Sequence, residues 1–191
     1  MNRKQKIEKH KSDVFSDNQR EAQYACNKLF HLGGGFSKIG QKKCRKFLIT
    51  LLDQEKPRTR NAVAITFRNN EFNAALNPLL QAINKPENSR SRGTLVYALE
   101  KLDCSKKLSE LFDILFGAAN NWEVQASVLT ILDEQIFEFT ESELQTIQEK
   151  WNQLAPSWNQ LNHINEDAIS EVNIDRKLIQ EFVDGYLAYL K

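Results

Sequence analysis

The chain has 191 residues, of which 41% are hydrophobic and 27% are charged, and it contains only seven glycines and four prolines. This composition is typical of a globular protein with long regular elements, and it argues against a β-sandwich or barrel. The longest apolar run, FLITLL at 47–52, is too short to span a membrane, and three scattered cysteines indicate reduced thiols. We therefore expect a cytoplasmic protein with no membrane partner.

The formal net charge of +1 hides two ends of opposite sign. Residues 1–60 contain 15 Lys and Arg and 6 Asp and Glu, whereas residues 61–191 contain 11 and 19. Residues 108–149 contain nine acidic residues and no Lys or Arg. Such a chain has a strong dipole, and the sign of each end indicates which partners it attracts.

The predicted elements, in chain order, are helices. Residues 1–15 form a basic arm, and the sequence leaves open whether it is ordered. Residues 22–29 and then 42–52 predict two helices, with a break at HLGGGF (31–36). Apolar residues at i, i+3, i+4 and i+7 predict further helices over 76–83, 95–102 and 108–115. After residue 150 the chain becomes polar and Asn-rich, and a last apolar stripe over 179–190 predicts a capping helix.

Two segments, PRTRNAVAITF (57–67) and NSRSRGTLVYAL (88–99), share the same pattern. Arg60 and Arg92 are 32 residues apart, and a further step of 33 reaches Gln125. The same two steps connect the dipeptides at 77–78, 109–110 and 142–143, each of which is Asn or Ser followed by Pro or Glu, typical of a helix start. We therefore predict a repeat of about 32 residues with two helices, in which stacked neighbours bury the apolar face that one pair cannot bury alone.

The segments ALNPLLQAINKPENSRSRGTLVYALEKLD (75–103) and EVQASVLTILD (123–133) resemble HEAT repeats, particularly the short bacterial kind, over roughly residues 40–150. The resemblance implies an all-α, armadillo-type superhelix, or solenoid, in one domain over residues 1–191. About four helical pairs would stack with a right-handed twist over residues 16–154, and residues 155–191 would form a C-terminal cap. In HEAT-like proteins the second helices usually line a concave face, whose ligands vary widely.

If the second helices line such a face, their polar side chains form a groove that changes from basic to acidic. An acidic groove would bind a basic protein surface, as an adaptor or an inhibitor or immunity-type protein does. Trp122, Trp151 and Trp158 are most simply interpreted as packing residues, and Trp158, in the Asn-rich stretch, is the best candidate among them for an exposed aromatic anchor. The other alternative is that these are solvated faces that keep the protein soluble. The predicted partner-binding residues are Gln81, Asn84, Glu110, Asp113, Glu141, Glu143, Glu149 and Trp158.

The alternative function is nucleic-acid binding by the basic end, although few aromatic residues there could stack on bases. The candidate residues for this function are Lys42, Lys43, Arg45, Lys46, Arg58 and Arg60.

An enzyme is the third hypothesis, because some HEAT-like proteins are DNA alkylation-repair glycosylases with Trp and Asp one helical turn apart. Here the residues four positions after Trp122, Trp151 and Trp158 are Ala, Ala and Asn. GGGFSK (33–38) lacks the ending of a phosphate-binding P-loop, and the three histidines are isolated. We therefore expect a non-catalytic binding protein with no cofactor and no metal, and the sequence does not predict its oligomeric state.

Overall fold

The computed structural model describes residues 1–32, 38–161, 174 and 176–190, and every regular element in these ranges is helical. The prediction of an all-α protein is confirmed for them. None of these helices has the length and apolar character that crossing a bilayer requires. The α-helices are α1 (Arg3–Asp13), α2 (Gln19–Leu32), α3 (Lys38–Thr50), α4 (Pro57–Asn69), α5 (Leu76–Ile83), α6 (Gly93–Leu99), α7 (Leu108–Phe116), α8 (Trp122–Glu134), α9 (Glu141–Leu154), α10 (Trp158–Leu161) and α11 (Arg176–Leu187).

The chain divides into two compact units, Met1–Leu102 and Asp103–Lys191. The division separates the charges: the first unit has 20 Lys and Arg against 9 Asp and Glu, and the second has 6 against 16. We call them the basic unit, with a formal charge of +11, and the acidic unit, with −10. The sign of the charge thus changes at the structural boundary, and the prediction of one domain over residues 1–191 stays a prediction.

In the basic unit, α2 packs against α1, α3 and α4, and α4 packs against α6. Ala22, Ala25 and Ala62 are fully buried, and such small side chains let helices approach closely. A hydrogen bond of 2.8 Å from Gln23 Nε2 to Thr66 Oγ1 joins α2 to α4. These contacts make α2 and α4 the centre of the basic unit.

The N-terminal arm contains a helix. Helix α1 begins with a capping box, in which the Asn2 side chain accepts a hydrogen bond from the N–H of Gln5 and the Gln5 side chain accepts one from the N–H of Asn2. The helix buries none of its own residues, but Val14 directly after it is fully buried. Burial of Val14 and packing on α2 therefore hold the arm against the basic unit.

Polar side chains are buried near the start of two helices at positions of the predicted repeat. Arg60 in α4 is 3% exposed, and its Nη1 donates to the backbone oxygens of Gln54 at 2.6 Å and Glu55 at 3.1 Å. Gln125 in α8 is 1% exposed, and its Nε2 donates to the backbone oxygen of Ala118 at 3.0 Å. Both side chains thus bond to the turn that precedes their own helix, which satisfies carbonyl groups that secondary structure leaves free.

Polar contacts between residues 31 or 32 positions apart occur in both units. In the basic unit, Lys85 Nζ lies 2.6 Å from Asp53 Oδ1, and Arg68 Nη2 lies 3.2 Å from Glu100 Oε2. In the acidic unit, the Cys104 N–H donates to Gln135 Oε1 at 2.9 Å, and Lys106 pairs with Glu138 at 3.3 Å. The spacing agrees with the period predicted from the sequence, whereas the number of repeats and their stacking remain predictions.

We predict that Arg60→Ala lowers the free energy of unfolding by about 2–3 kcal/mol, because it removes hydrogen bonds from a buried guanidinium and leaves a cavity. Urea unfolding followed by circular dichroism measures the change. Arg90→Ala is the matched control, since Arg90 is exposed in the same unit, and we expect a change within about 0.5 kcal/mol. Equal stability of the two variants would contradict the role assigned to Arg60.

A candidate protein-binding groove

Three of the predicted acidic partner-binding residues already have partners within the acidic unit. Lys107 Nζ lies 2.8 Å from Glu110 Oε1, and Lys150 Nζ lies 2.5 Å from Asp113 Oδ1. The carboxylate of Glu143 accepts a hydrogen bond of 2.8 Å from the N–H of Thr140 and so caps α9. These carboxylates therefore have structural roles in addition to any role in binding.

The remaining polar candidates are exposed. Gln81 lies on α5 and Asn84 directly after it, both in the basic unit. Glu141 and Glu149 lie on α9 in the acidic unit, and Glu141 accepts a hydrogen bond of 3.2 Å from Gln145 Nε2. Within the acidic unit, only Glu149 is an acidic candidate without a polar partner among the described residues.

The prediction that Trp158 is an exposed anchor is wrong. Trp158 is fully buried, its ring packs edge-on to that of Trp151 with centroids 5.5 Å apart, and its indole N–H donates to the backbone oxygen of Ile174 at 3.1 Å. A tryptophan whose N–H finds a carbonyl buries its large apolar ring at little cost, even in a polar stretch of sequence. The exposed tryptophan is instead Trp122, at 53%, where α8 begins.

The arginines among the nucleic-acid candidates are engaged within the basic unit. Arg60 is buried, so the prediction that it contacts phosphates is wrong. Arg45 stacks on the Phe30 ring, with Cζ 4.1 Å from the ring centroid, and Arg58 donates a hydrogen bond to the backbone oxygen of Asp17. The three lysines of the set, at 42, 43 and 46, are exposed on α3. His163 and the residues 33–37 of GGGFSK lie outside the described residues.

A groove of about 680 Å³ lies between residues 132–139 and α11, wholly within the acidic unit. The sequence pattern predicted α11 as a cap and gave no indication of this groove. Its apolar lining residues include Ile136, Phe137, Phe139, Phe182, Tyr186 and Tyr189.

Tyr186 anchors α11 to the wall of the groove. Its hydroxyl donates to the backbone oxygen of Leu132 at 2.8 Å, and its ring packs edge-on against Phe137 and Phe139, with centroids 6.1 and 6.0 Å away. Burial raises the pKa of Tyr186, so the hydroxyl stays protonated and continues to donate this bond. The aromatic cluster of Phe137, Phe139 and Tyr186 thus forms one side of the groove.

Residues 135–139, which include Phe137 and Phe139, are held by two hydrogen bonds to residues 104 and 105. The Cys104 N–H donates to the side-chain oxygen of Gln135, and the Glu138 N–H donates to the backbone oxygen of Ser105 at 2.8 Å. Phe137 is buried, whereas Ile136 is 91% exposed.

The groove combines exposed apolar side chains with negative charge. Ile136 and Tyr189, which is 75% exposed, lie on the groove, and Asp133 and Glu181 contribute carboxylates. None of the described lining residues is Lys or Arg. Exposed apolar residues grouped at a concavity are typical of a binding surface. The groove is therefore suited to bind a ligand that carries an apolar side chain next to a positive charge.

The three cysteine thiols are buried and therefore not accessible as nucleophiles. Cys26 and Cys104 are fully buried, and burial raises the pKa of each to about 12. Cys44 is also buried, and burial raises its pKa. Among the described residues, no group of three or more His, Cys, Asp or Glu side chains is arranged to hold a metal ion.

We predict that all three thiols of the folded chain react slowly with a thiol-specific reagent near pH 8, because they are inaccessible and protonated. In urea all three should react at the rate of free cysteine. A colorimetric thiol assay with and without denaturant measures both rates. Rapid reaction of any thiol in the folded chain would contradict the burial described here.

A comparison with protein-family models, with curated proteins and with solved structures finds no match to this chain.

Proposed function

We propose that the chain is a non-catalytic, HEAT-like binding protein that holds a segment of a protein partner in the groove of the acidic unit. The observation that carries this proposal is the exposure of Ile136 and Tyr189 on a groove with an aromatic wall. The contacts between residues 31 or 32 positions apart support the HEAT-like part of the proposal. The proposal puts the principal contact with the partner in the groove of the acidic unit.

The chemistry of the groove specifies the partner segment. An aliphatic or aromatic side chain would pack between Ile136 and Tyr189 and remove apolar surface from water. A Lys or Arg beside it would pair with Asp133, because Glu181 already has Lys177 Nζ at 3.8 Å. The formal charge of −10 on the acidic unit would attract a basic segment and raise its association rate. The partner is therefore a basic protein with an exposed apolar residue.

Gly185 offers a way to close the groove without disturbing the fold. It lines the groove from α11, and a Cβ built on it meets no atom within 4 Å. Gly185→Leu therefore places a side chain in the groove without a clash of its Cβ. Replacing glycine within a helix also removes an unfavourable propensity of up to about 1 kcal/mol, so the variant should be at least as stable as the natural chain.

We predict that the full chain, applied to an array of short peptides, binds the peptides that combine Leu, Ile or Phe with Lys or Arg. Ile136→Ser and Gly185→Leu should each weaken the best peptide about tenfold, because they remove an apolar contact or fill the groove. Fluorescence anisotropy with that peptide measures the dissociation constants. Trp122→Ser is the matched control, since Trp122 is an exposed apolar residue of the same unit outside the groove lining, and it should change binding less than about threefold.

Two results would contradict the proposal. One is an array on which no peptide is retained or on which acidic peptides are retained as well as basic ones. The other is peptide binding that Ile136→Ser and Gly185→Leu leave unchanged while both variants unfold at the urea concentration of the natural chain.

A further inference from the structure

Helices α1 and α3 of the basic unit are connected by a cation–π contact. Lys11 Nζ of α1 is 5.5 Å from the centroid of the Phe47 ring of α3. The start of α1 is held by Arg3 Nη2, which donates to the backbone oxygen of Leu32 at 2.8 Å, and both helices pack against α2. The exposed sides of α1 and α3 therefore belong to one region of the basic unit.

Lys42, Lys43 and Lys46 on α3 have exposed side chains, and none of them has an ion pair within the described residues. Positions i, i+1 and i+4 of an α-helix fall within about 100° of arc, so the three share one side of α3, which we call the lysine face. Lys4 and Lys6 on α1 are also exposed, but residues two positions apart point to opposite sides of a helix.

The carboxylates of α1 do not neutralise the lysine face. Asp13 pairs with Lys9 at 2.7 Å, and Glu8 pairs with Lys11 at 3.1 Å. No other acidic residue occurs in α1, and α3 contains none. The arginines at 45, 58 and 60 are engaged elsewhere, so the exposed positive charge of this region comes from lysine.

We propose that the lysine face binds the phosphate backbone of a nucleic acid, which adds a second function to the one proposed for the groove. Phosphates repeat along a strand, and lysine ammonium groups on flexible stems contact them without requiring one geometry. Backbone contacts of this kind do not depend on base stacking or on sequence. The scarcity of aromatic residues in this region is consistent with such binding.

Two other acidic partners fit the lysine face less well. A membrane surface would require a broad apolar side to enter the lipid, whereas the described residues of α1 and α3 include one exposed large apolar residue, Ile39, which is 70% exposed. A protein interface would normally be depleted of lysine at its centre. The acidic unit carries −10 and repels phosphates, so the nucleic acid would contact the basic unit.

The test uses the full chain and a fluorescent DNA duplex of about 20 base pairs, at salt concentrations from about 50 to about 200 mM. The variant of the lysine face is the triple substitution Lys42→Gln, Lys43→Gln and Lys46→Gln. The matched control is Lys56→Gln, Arg90→Gln and Lys101→Gln, which removes three exposed positive charges from the same unit outside the face. Fluorescence anisotropy measures the dissociation constants, and circular dichroism checks that both variants keep their helical content.

We expect the natural chain to bind the duplex, with an affinity that falls as salt rises. The triple variant of the lysine face should raise the dissociation constant about tenfold or more at low salt, and it should reduce the slope of log affinity against log salt by about three. The control should raise the dissociation constant less than about threefold.

Three results would overturn the proposal. The first is an equal loss of affinity in the two triple variants, which would indicate that net charge and not this face attracts the duplex. The second is binding of the natural chain to vesicles containing anionic lipid with no binding to the duplex. The third is self-association, measured by sedimentation velocity, that only the variant of the lysine face abolishes while the duplex does not bind, because the face would then contact the acidic unit of a second copy.

Discussion

The packing of this chain depends on polar side chains that are buried where helices begin and bonded to the turns before them. Arg60 and Gln125 both donate to backbone oxygens of the preceding turn. A buried carbonyl without a donor would destabilise the fold, and helices as short as α5 and α6, with eight and seven residues, are not stable alone. Arg60 Nη2 also donates to Ser91 Oγ at 2.9 Å, which connects the turn before α4 to the turn before the short helix α6.

The same constraint decides which charges remain on the surface. Arg60 bonds to its own backbone and Arg45 stacks on Phe30, so the basic unit presents lysine rather than arginine around α3. In the acidic unit several carboxylates are paired with lysines or cap a helix. Glu181, whose Oε1 lies 3.8 Å from Lys177 Nζ, and Asp133 lie on a groove with exposed Ile136 and Tyr189. The two units thus differ in the chemistry of their exposed groups as well as in net charge. We infer that a protein with both surfaces links a basic protein partner to a nucleic acid.

Helical character was predictable from sequence because apolar spacing reports directly on one face of a helix. Leu79, Ile83, Leu111 and Leu115 all follow that spacing, and all are buried. The burial of Trp158 was not predictable, because its indole N–H donates to the backbone oxygen of Ile174, which is 16 residues later in the sequence. The groove was not predictable either, because it combines an extended segment around Ile136 with Tyr186, which is about 50 residues later. Residue spacing predicts single helices, whereas the groove and the burial of Trp158 depend on which segments pack against each other.

We propose that two separate surfaces, one in each unit, bind ligands of opposite charge. Nuclear magnetic resonance of the isotope-labelled full chain tests it most directly, with a DNA duplex added first and an apolar, basic peptide added second. We expect the duplex to shift the amide signals of α3 and the peptide to shift those of Ile136 and Tyr189, with both ligands bound at the same time. Shifts of the same residues by both ligands, or displacement of one ligand by the other, would contradict it.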